Sequence, residues 1–208
     1  MKILIADDHS LVRFGLKLAL HNYFNDSQID ESWDGDSVKA QFGIHQYDLL
    51  LLDLNMPNTD STVLLQWIRE EHPQTKILVV SMNDEGIFGK RTLQQGAHGY
   101  LEKDSSPEEL MKAVTTIMNG KRYASSNLAN ILINDTLAGR SANPFDQLTP
   151  REFQVATYLV KDYSVTQISQ ILHLEYTSIN TFKRRIFKKL NIPNKSALIR
   201  LAEAYNLG

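Results

Sequence analysis

The chain has 208 residues, a formal net charge of −2, 42% hydrophobic and 22% charged residues, and no cysteine. It is long enough to bury one large core or two modest ones, and the lack of cysteine excludes disulfides, thiolate metal sites and thiol nucleophiles and suits a reducing compartment. The charge is divided: residues 1–146 carry thirteen Lys and Arg against twenty Asp and Glu, and residues 147–208 carry nine against four, an acidic body followed by a basic segment suited to a polyanion.

Along the acidic part, apolar strand-like runs alternate with helical stretches. Residues 2–6 read as a strand and 10–22 as a helix, with Leu11, Phe14 and Leu18 among its apolar positions. A weaker strand at 28–32, a helix at 36–45 and a strand at 47–52, apolar enough to be buried on both faces, come next. A helix at 62–71 is closed by His72 and Pro73, and 76–81 is a fourth strand. Residues 85–95 read as a helix stopped by Gly96, 99–102 as a short fifth strand, and 107–119 as a helix stopped by Gly120. Pro107, Glu108 and Glu109 stand where a helix N-terminus favours them. This order predicts an α/β doubly wound parallel sheet of five strands. Residues 126–137 hold enough Leu, Ile and Ala for a further helix, and 138–144 read as a linker. No run reaches membrane-spanning length and no segment resembles a signal peptide, so the expected location is the cytoplasm, without membrane contact.

From Leu148 the pattern is all helical. Thr149, Pro150 and Glu152 combine an N-cap, a proline at the first helical position and an acid three residues after the cap. Residues 165–172, capped by Ser164 or Thr166, and 176–190 are separated by only three residues and predict a helix-turn-helix, followed by a helix at 195–205. Within 176–190, Lys183, Arg184, Arg185, Lys188 and Lys189 place five positive charges in seven residues with no acid among them. Solubility accounts for scattered surface charges, whereas phosphate contacts account for such a run. Thr177, Asn180, Thr181 and Arg184 fall near one helix face and are candidates for reading bases; Lys183 and Lys188 complete the expected DNA-binding set.

The acidic part concentrates its chemistry at strand ends. Asp7 and Asp8 follow the first strand, Asp53 the third, Ser81 ends the fourth and Lys103 follows the fifth. In an open α/β sheet these ends share one edge. Three carboxylates, a hydroxyl and an ammonium together suit phosphoryl chemistry: Asp53 as covalent acceptor, Asp7 and Asp8 holding Mg²⁺, Lys103 and Ser81 meeting phosphoryl oxygens. On the residues alone a second reading stands beside it, in which the acids and Ser81 cap helices and Lys103 forms a surface pair.

Residues 5–10 (IADDHS), 52–57 (LDLNMP), 79–82 (VVSM) and 96–104 (GAHGYLEKD) resemble, in order and spacing, the receiver domains of two-component response regulators. The resemblance implies a flavodoxin-like receiver over residues 1–121, with Asp53 phosphorylated by a partner sensor histidine kinase. It also implies Mg²⁺ held by Asp7, Asp8, Asp53 and the backbone carbonyl of Asn55, Ser81 and Lys103 at the hydroxyl and lysine positions, and Tyr100 at the aromatic switch position. Asn58 and Ser61 depart from the pattern where glycines are usual.

The basic segment is similar to the LuxR-type helix-turn-helix of the NarL/FixJ class through 148–152 (LTPRE), Ile168, Ser178, Ile179, Lys189 and Leu190. Tyr163, Ser169 and Phe182 depart from the usual glycine, alanine and histidine. The resemblance implies a helix and linker over 122–146, an all-helical DNA-binding domain over 147–208, and a homodimer on double-stranded DNA. The expected function is a phosphorylation-controlled transcriptional regulator and not an enzyme. Two alternatives remain: a phosphorylation-independent DNA-binding protein that uses its receiver only to dimerise, and a Mg²⁺-dependent aspartyl-phosphate phosphatase. Against the phosphatase, Asn55 stands where such enzymes usually carry a second acid.

Overall fold

Five short apolar runs pair in parallel in the order β2-β1-β3-β4-β5. They are β1 (Lys2–Ala6), β2 (Gln28–Ser32), β3 (Leu49–Leu52), β4 (Lys76–Ser81) and β5 (Gly99–Glu102). The structure is a computed structural model and describes residues 1–137, 143–205 and 207. The helices α1 (Ser10–Tyr23), α2 (Gly35–Ile44), α3 (Ser61–Glu71), α4 (Glu85–Gln94) and α5 (Pro107–Met118) follow the strands in turn. All four leucines of β3 are buried, as a strand covered on both faces requires.

Element ends differ from the sequence expectations by a residue or two, for identifiable reasons. Tyr47 lies before β3 rather than inside it, because the Asp48 carboxylate takes the Lys2 backbone N–H at 2.7 Å, where a continuing ladder would offer a carbonyl. Tyr47 is nevertheless buried, its hydroxyl 2.7 Å from Asp30. The second helix starts at Gly35 because Asp34 and Ser37 form a capping box, and α3 starts at Ser61 because Asp60 accepts the N–H groups of Thr62 and Val63. Along α1, Leu11, Phe14 and Leu18 are 84%, 66% and 53% exposed. The apolar pattern there identifies a helix, but the core takes Leu20 and the partly buried Leu16 and Ala19 instead.

A sixth helix, α6 (Ser126–Leu137), belongs to the same compact unit, Met1–Leu137. Leu128 is fully buried against Gly89 of α4, where an added Cβ would lie 2.7 Å from a leucine methyl. Ser125 accepts the Leu128 N–H and donates to Glu85 at 2.6 Å, fastening the start of α6 to the start of α4.

The second unit, Ala138–Gly208, has only helices as regular elements among its described residues. Of the expected linker 138–144, residues 138–142 lie outside the described residues, and Pro144 opens a 3-10 helix, Pro144–Gln147, that the sequence reading missed. Asn143 caps that turn through Phe145 N–H, and the Phe145 ring is buried. Then come α7 (Pro150–Val160), α8 (Val165–Leu172), α9 (Tyr176–Lys189) and α10 (Lys195–Ala204). Ser164, and not Thr166, caps α8. The turn into α9 passes through His173 in the left-handed region (φ 50°), and Ser169 spans it by donating to the Leu174 carbonyl at 2.5 Å.

One glycine is required by its backbone. Gly96 has φ 104°, a conformation strained for any residue with a Cβ, whatever the movable Arg69 side chain beside it does. Gly96→Ala is therefore expected to lower the unfolding free energy of the full chain by more than about 1 kcal/mol, whereas Gly15→Ala, with nothing within 4 Å of the added methyl, stabilises α1 by about 0.5–1 kcal/mol. Chemical denaturation of both variants checks the contrast.

Candidate functional site

The parallel ladder places the acids. Asp53 N–H donates to the Ala6 carbonyl at 2.8 Å and Asp7 N–H to the Ser32 carbonyl at 3.1 Å, so both residues leave the sheet at the crevice where its strand order reverses. Lys103 N–H donates to the Ser81 carbonyl at 2.9 Å and arrives from the β5 side. The Lys103 ammonium lies 2.7 Å from Asp7 Oδ2 and 2.8 Å from Asp53 Oδ2, with all three side chains buried. The structure thus brings together residues far apart in the chain, and Lys103 is no surface pair.

Oxygen or nitrogen atoms of Asp7, Asp8, His9 and Asp53 lie within 4.8 Å of one another. His9 was missed by the sequence reading, although its place beside two acids was a signal. Its backbone N–H donates to Asp7 Oδ1 at 2.8 Å and its ring Nδ1 lies 2.7 Å from Asp8 Oδ1. The Asn55 backbone N–H bonds to the Asp53 carboxylate. Burial pushes the Asp53 carboxyl above the ordinary carboxylate range; Lys103 opposes this, and Asp7 adds to it. Burial works against the Lys103 charge, but Asp53 and Asp7 more than offset it and raise the ammonium above its usual value. A hard divalent cation suits this set of oxygen donors and the surplus of negative charge.

Ser81 is buried, accepts the Asn83 N–H at 3.3 Å and does not cap α4; Asp84 does that by accepting the Ile87 N–H. Tyr100 is fully buried and donates to the Asn83 carbonyl at 2.7 Å. Ser81 and Tyr100 therefore both engage the segment leading into α4. Asn55 is half-buried in the loop after β3. In that loop Asn58 adopts φ 51°, a conformation asparagine tolerates in place of glycine, and Ser61 donates to the Leu54 carbonyl at 2.6 Å. Both departures are accommodated.

In the second unit, Ile179 and Ile186 bury one side of α9. At about 100° per residue, Thr177, Thr181, Arg184 and Lys188 form a line on the opposite side. Of these Thr177, Arg184 and Lys188 are exposed, while Thr181 is half-buried and donates to the Thr177 carbonyl. Asn180 flanks the line and donates to the Tyr176 carbonyl. Lys183 lies closer to the buried side, 5.8 Å over the Phe187 ring. Arg185, exposed on the other flank, was not among the expected contacts. Lys189 points elsewhere: it meets the buried Glu152 carboxylate at 2.6 Å. Arg151, also buried, donates to the Leu172 carbonyl at 2.8 Å, holding the end of α8. Thus the opening motif LTPRE braces both helices of the helix-turn-helix.

A family model described as the response regulator receiver domain matches residues 3–115, and one described as bacterial regulatory proteins, luxR family, matches residues 146–202. The oxygen regulatory protein NreC of Staphylococcus carnosus is 33% identical over 97% of this chain and 96% of its own length. The chain belongs to the response regulators. It is a DNA-binding member of this phosphorylation-controlled two-component family, a signalling protein and not an enzyme. NreC of Staphylococcus epidermidis is 34% identical over the same shares. Among solved structures, RcsB of Salmonella enterica serovar Typhimurium, bound to promoter rprA with phosphomimetic BeF3-, shares the fold: TM-score 0.65, 24% identity, 98% of each chain. No helix among the described residues of this response regulator is long and apolar enough to cross a membrane.

Two stability predictions follow from the charges. The raised Asp53 carboxyl favours the protonated native form, so its contribution to stability is full below the ordinary carboxylate range and is lost as pH rises through the raised value. Asp53→Asn, neutral throughout, should raise the unfolding midpoint at pH 7 without divalent cation by about 2–4 °C, read by calorimetry. Glu152 has the opposite sign: burial resists its ionisation, but Lys189 and the Thr149 N–H hold it below the usual range. Its stabilisation is present above about pH 4.3 and is lost as pH falls through the depressed value. Lys189→Met should cost about 1–3 kcal/mol at pH 7 and flatten the pH dependence of unfolding.

Proposed function

We propose that Asp53 accepts a phosphoryl group from a sensor histidine kinase with Mg²⁺ held at Asp7, Asp8, Asp53 and the Asn55 backbone carbonyl, and that the phosphorylated chain acts as a homodimer on double-stranded DNA in the cytoplasm. The observation that carries this reading is the Asp53 carboxylate, buried beside Asp7 and Asp8 with one oxygen on the Lys103 ammonium. An Asp53 oxygen attacks phosphorus, a C–O–P linkage forms, and the P–N bond to the donor histidine breaks with its electron pair returning to the imidazole. When bound, Mg²⁺ neutralises charge on the transferring group. Lys103 moves from bridging carboxylates to holding a phosphoryl oxygen, and Ser81 donates to another. Tyr100, tied to the same Asn83 segment, reports the change to the surface.

Domain limits of 1–121 for the receiver, 122–146 for the helix and linker, and 147–208 for the DNA-binding part fit this division of labour. On DNA, Thr177, Asn180, Thr181 and Arg184 meet base edges, and Lys183 and Lys188 meet phosphates. Pairing through α1 is supported by the exposed line of Leu11, Phe14 and Leu18, with Gly15 leaving it flat, since a two-fold interface needs one self-complementary patch. A solved structure of two RcsB dimers bound to two parallel DNAs supports a dimeric assembly.

The test uses Mg²⁺, acetyl phosphate and the full chain. Intact mass should gain one phosphoryl group in wild type and none in Asp53→Asn, and labelling should raise the solution mass toward a dimer in wild type but not in Phe14→Glu. Lys188→Ala should lower the salt dependence of DNA binding by about one counterion unit. An unlabelled wild type, or DNA affinity and mass indifferent to labelling, would remove the phosphorylation control proposed for this chain.

A further inference from the structure

Arg13 reaches back from the first turns of α1 to the acidic loop. Its Nη1 donates to the Asp7 backbone carbonyl at 2.7 Å, and its Nε donates to Glu31 of β2 at 3.0 Å. Lys17, one turn further along α1, meets the other Glu31 oxygen at 3.0 Å. The Lys17 hydrogen bond, with Arg13 adding to it against the cost of burial, holds the Glu31 carboxyl below its ordinary range. The Arg13 side chain is only 14% exposed, so its position is determined by these partners.

The Asp7 carbonyl belongs to the peptide that joins Asp7 to Asp8. A guanidinium bonded to that oxygen fixes the plane of the peptide and so the direction in which Asp8 leaves the chain. The helix N-cap, His9, acts on the carboxylates instead: its N–H donates to Asp7 Oδ1 and its ring lies 2.7 Å from Asp8 Oδ1, leaving the peptide itself to Arg13. The positive charge also lies beside a loop that carries two acids, where it offsets their mutual repulsion.

We propose that Arg13, anchored by Glu31, is a positioning residue that presets the Asp7–Asp8 pair for a divalent cation. This rests on the reading that these acids hold Mg²⁺. Groups that orient metal ligands from behind are commonly worth ten- to a hundredfold in metal affinity. Because Arg13 sits on α1 between Leu11 and Phe14, the same side chain ties the cation site to the helix that carries the exposed apolar line.

The test is calorimetric titration of Mg²⁺ into the full-length wild type, Arg13→Ala, Arg13→Gln, Glu31→Ala and the Arg13→Ala/Glu31→Ala double variant, with folding checked by circular dichroism. Arg13→Ala should weaken Mg²⁺ binding about tenfold or more. Glu31→Ala should weaken it less, and the double variant should match Arg13→Ala, because Glu31 acts through Arg13. In acetyl phosphate labelling, Arg13→Ala should need more Mg²⁺ for half-maximal rate yet approach the wild-type maximum. A structural role alone would lower the unfolding midpoint and leave the Mg²⁺ dissociation constant of the folded protein unchanged, and that result overturns the proposal. Should Arg13→Ala fail to fold, wild-type affinity in both Arg13→Gln and Glu31→Ala overturns it equally. A wild type that binds no Mg²⁺ removes the cation site itself and this proposal with it, whereas tight wild-type binding left unchanged in the variants removes the role of Arg13 alone.

Discussion

The Lys103 ammonium, 2.7 Å from Asp7 and 2.8 Å from Asp53, lets two carboxylates share a place that water scarcely reaches. Without it the acids at the ends of β1 and β3 would repel each other across a medium that screens poorly. The ladder that delivers the acids also delivers the lysine, since Asp53 N–H is bonded to Ala6 and Lys103 N–H to Ser81. The same arrangement leaves the site unbalanced in charge. One cation serves Asp7 and Asp53 while Asp8 and His9 crowd the rim, so the pocket favours whatever brings further positive charge.

The pocket is fastened to its surroundings at several points. The Asn83 segment is held from two sides, its N–H on Ser81 and its carbonyl on Tyr100. Two residues on, Glu85 receives Ser125 and Asn127 at the start of α6, and its own N–H donates to Glu102. Packed protein passes strain along such contacts because it does not deform continuously. On the opposite edge, Arg13 joins the acidic loop to α1 and β2. Whatever alters the charge at Asp53 thus acts on a framework whose fixed points are specific hydrogen bonds.

In the second unit, the residues that hold the fold and those on the open face of α9 interleave within a few positions. Lys188 is exposed and Lys189 pairs with buried Glu152. Arg151 is buried and stabilises the end of α8, where a positive group complements the helix dipole.

Much of this was legible in the sequence because it depends on local rules. Apolar runs ending in acids placed Asp7, Asp8 and Asp53 at one sheet edge, and proline, serine and glycine signals marked several helix ends. Side chains whose role depends on a distant partner were not legible. Composition could not separate Lys188 from Lys189, because the acid that claims Lys189 lies 37 positions away. The apolar line of α1 marked a helix but not which of its apolar faces the core would use. Arg13 gave no signal in the sequence, because the carbonyl and carboxylate that capture it become neighbours only when β1, β2 and α1 are assembled. The sequence by itself determined most of the elements and which acids, hydroxyl and lysine stand at strand ends, since hydrophobic period, capping and strand-end residues act over a few positions. Only the tertiary structure decided which charges are buried as partners and which remain on the surface, since desolvation and pairing are properties of the assembled fold.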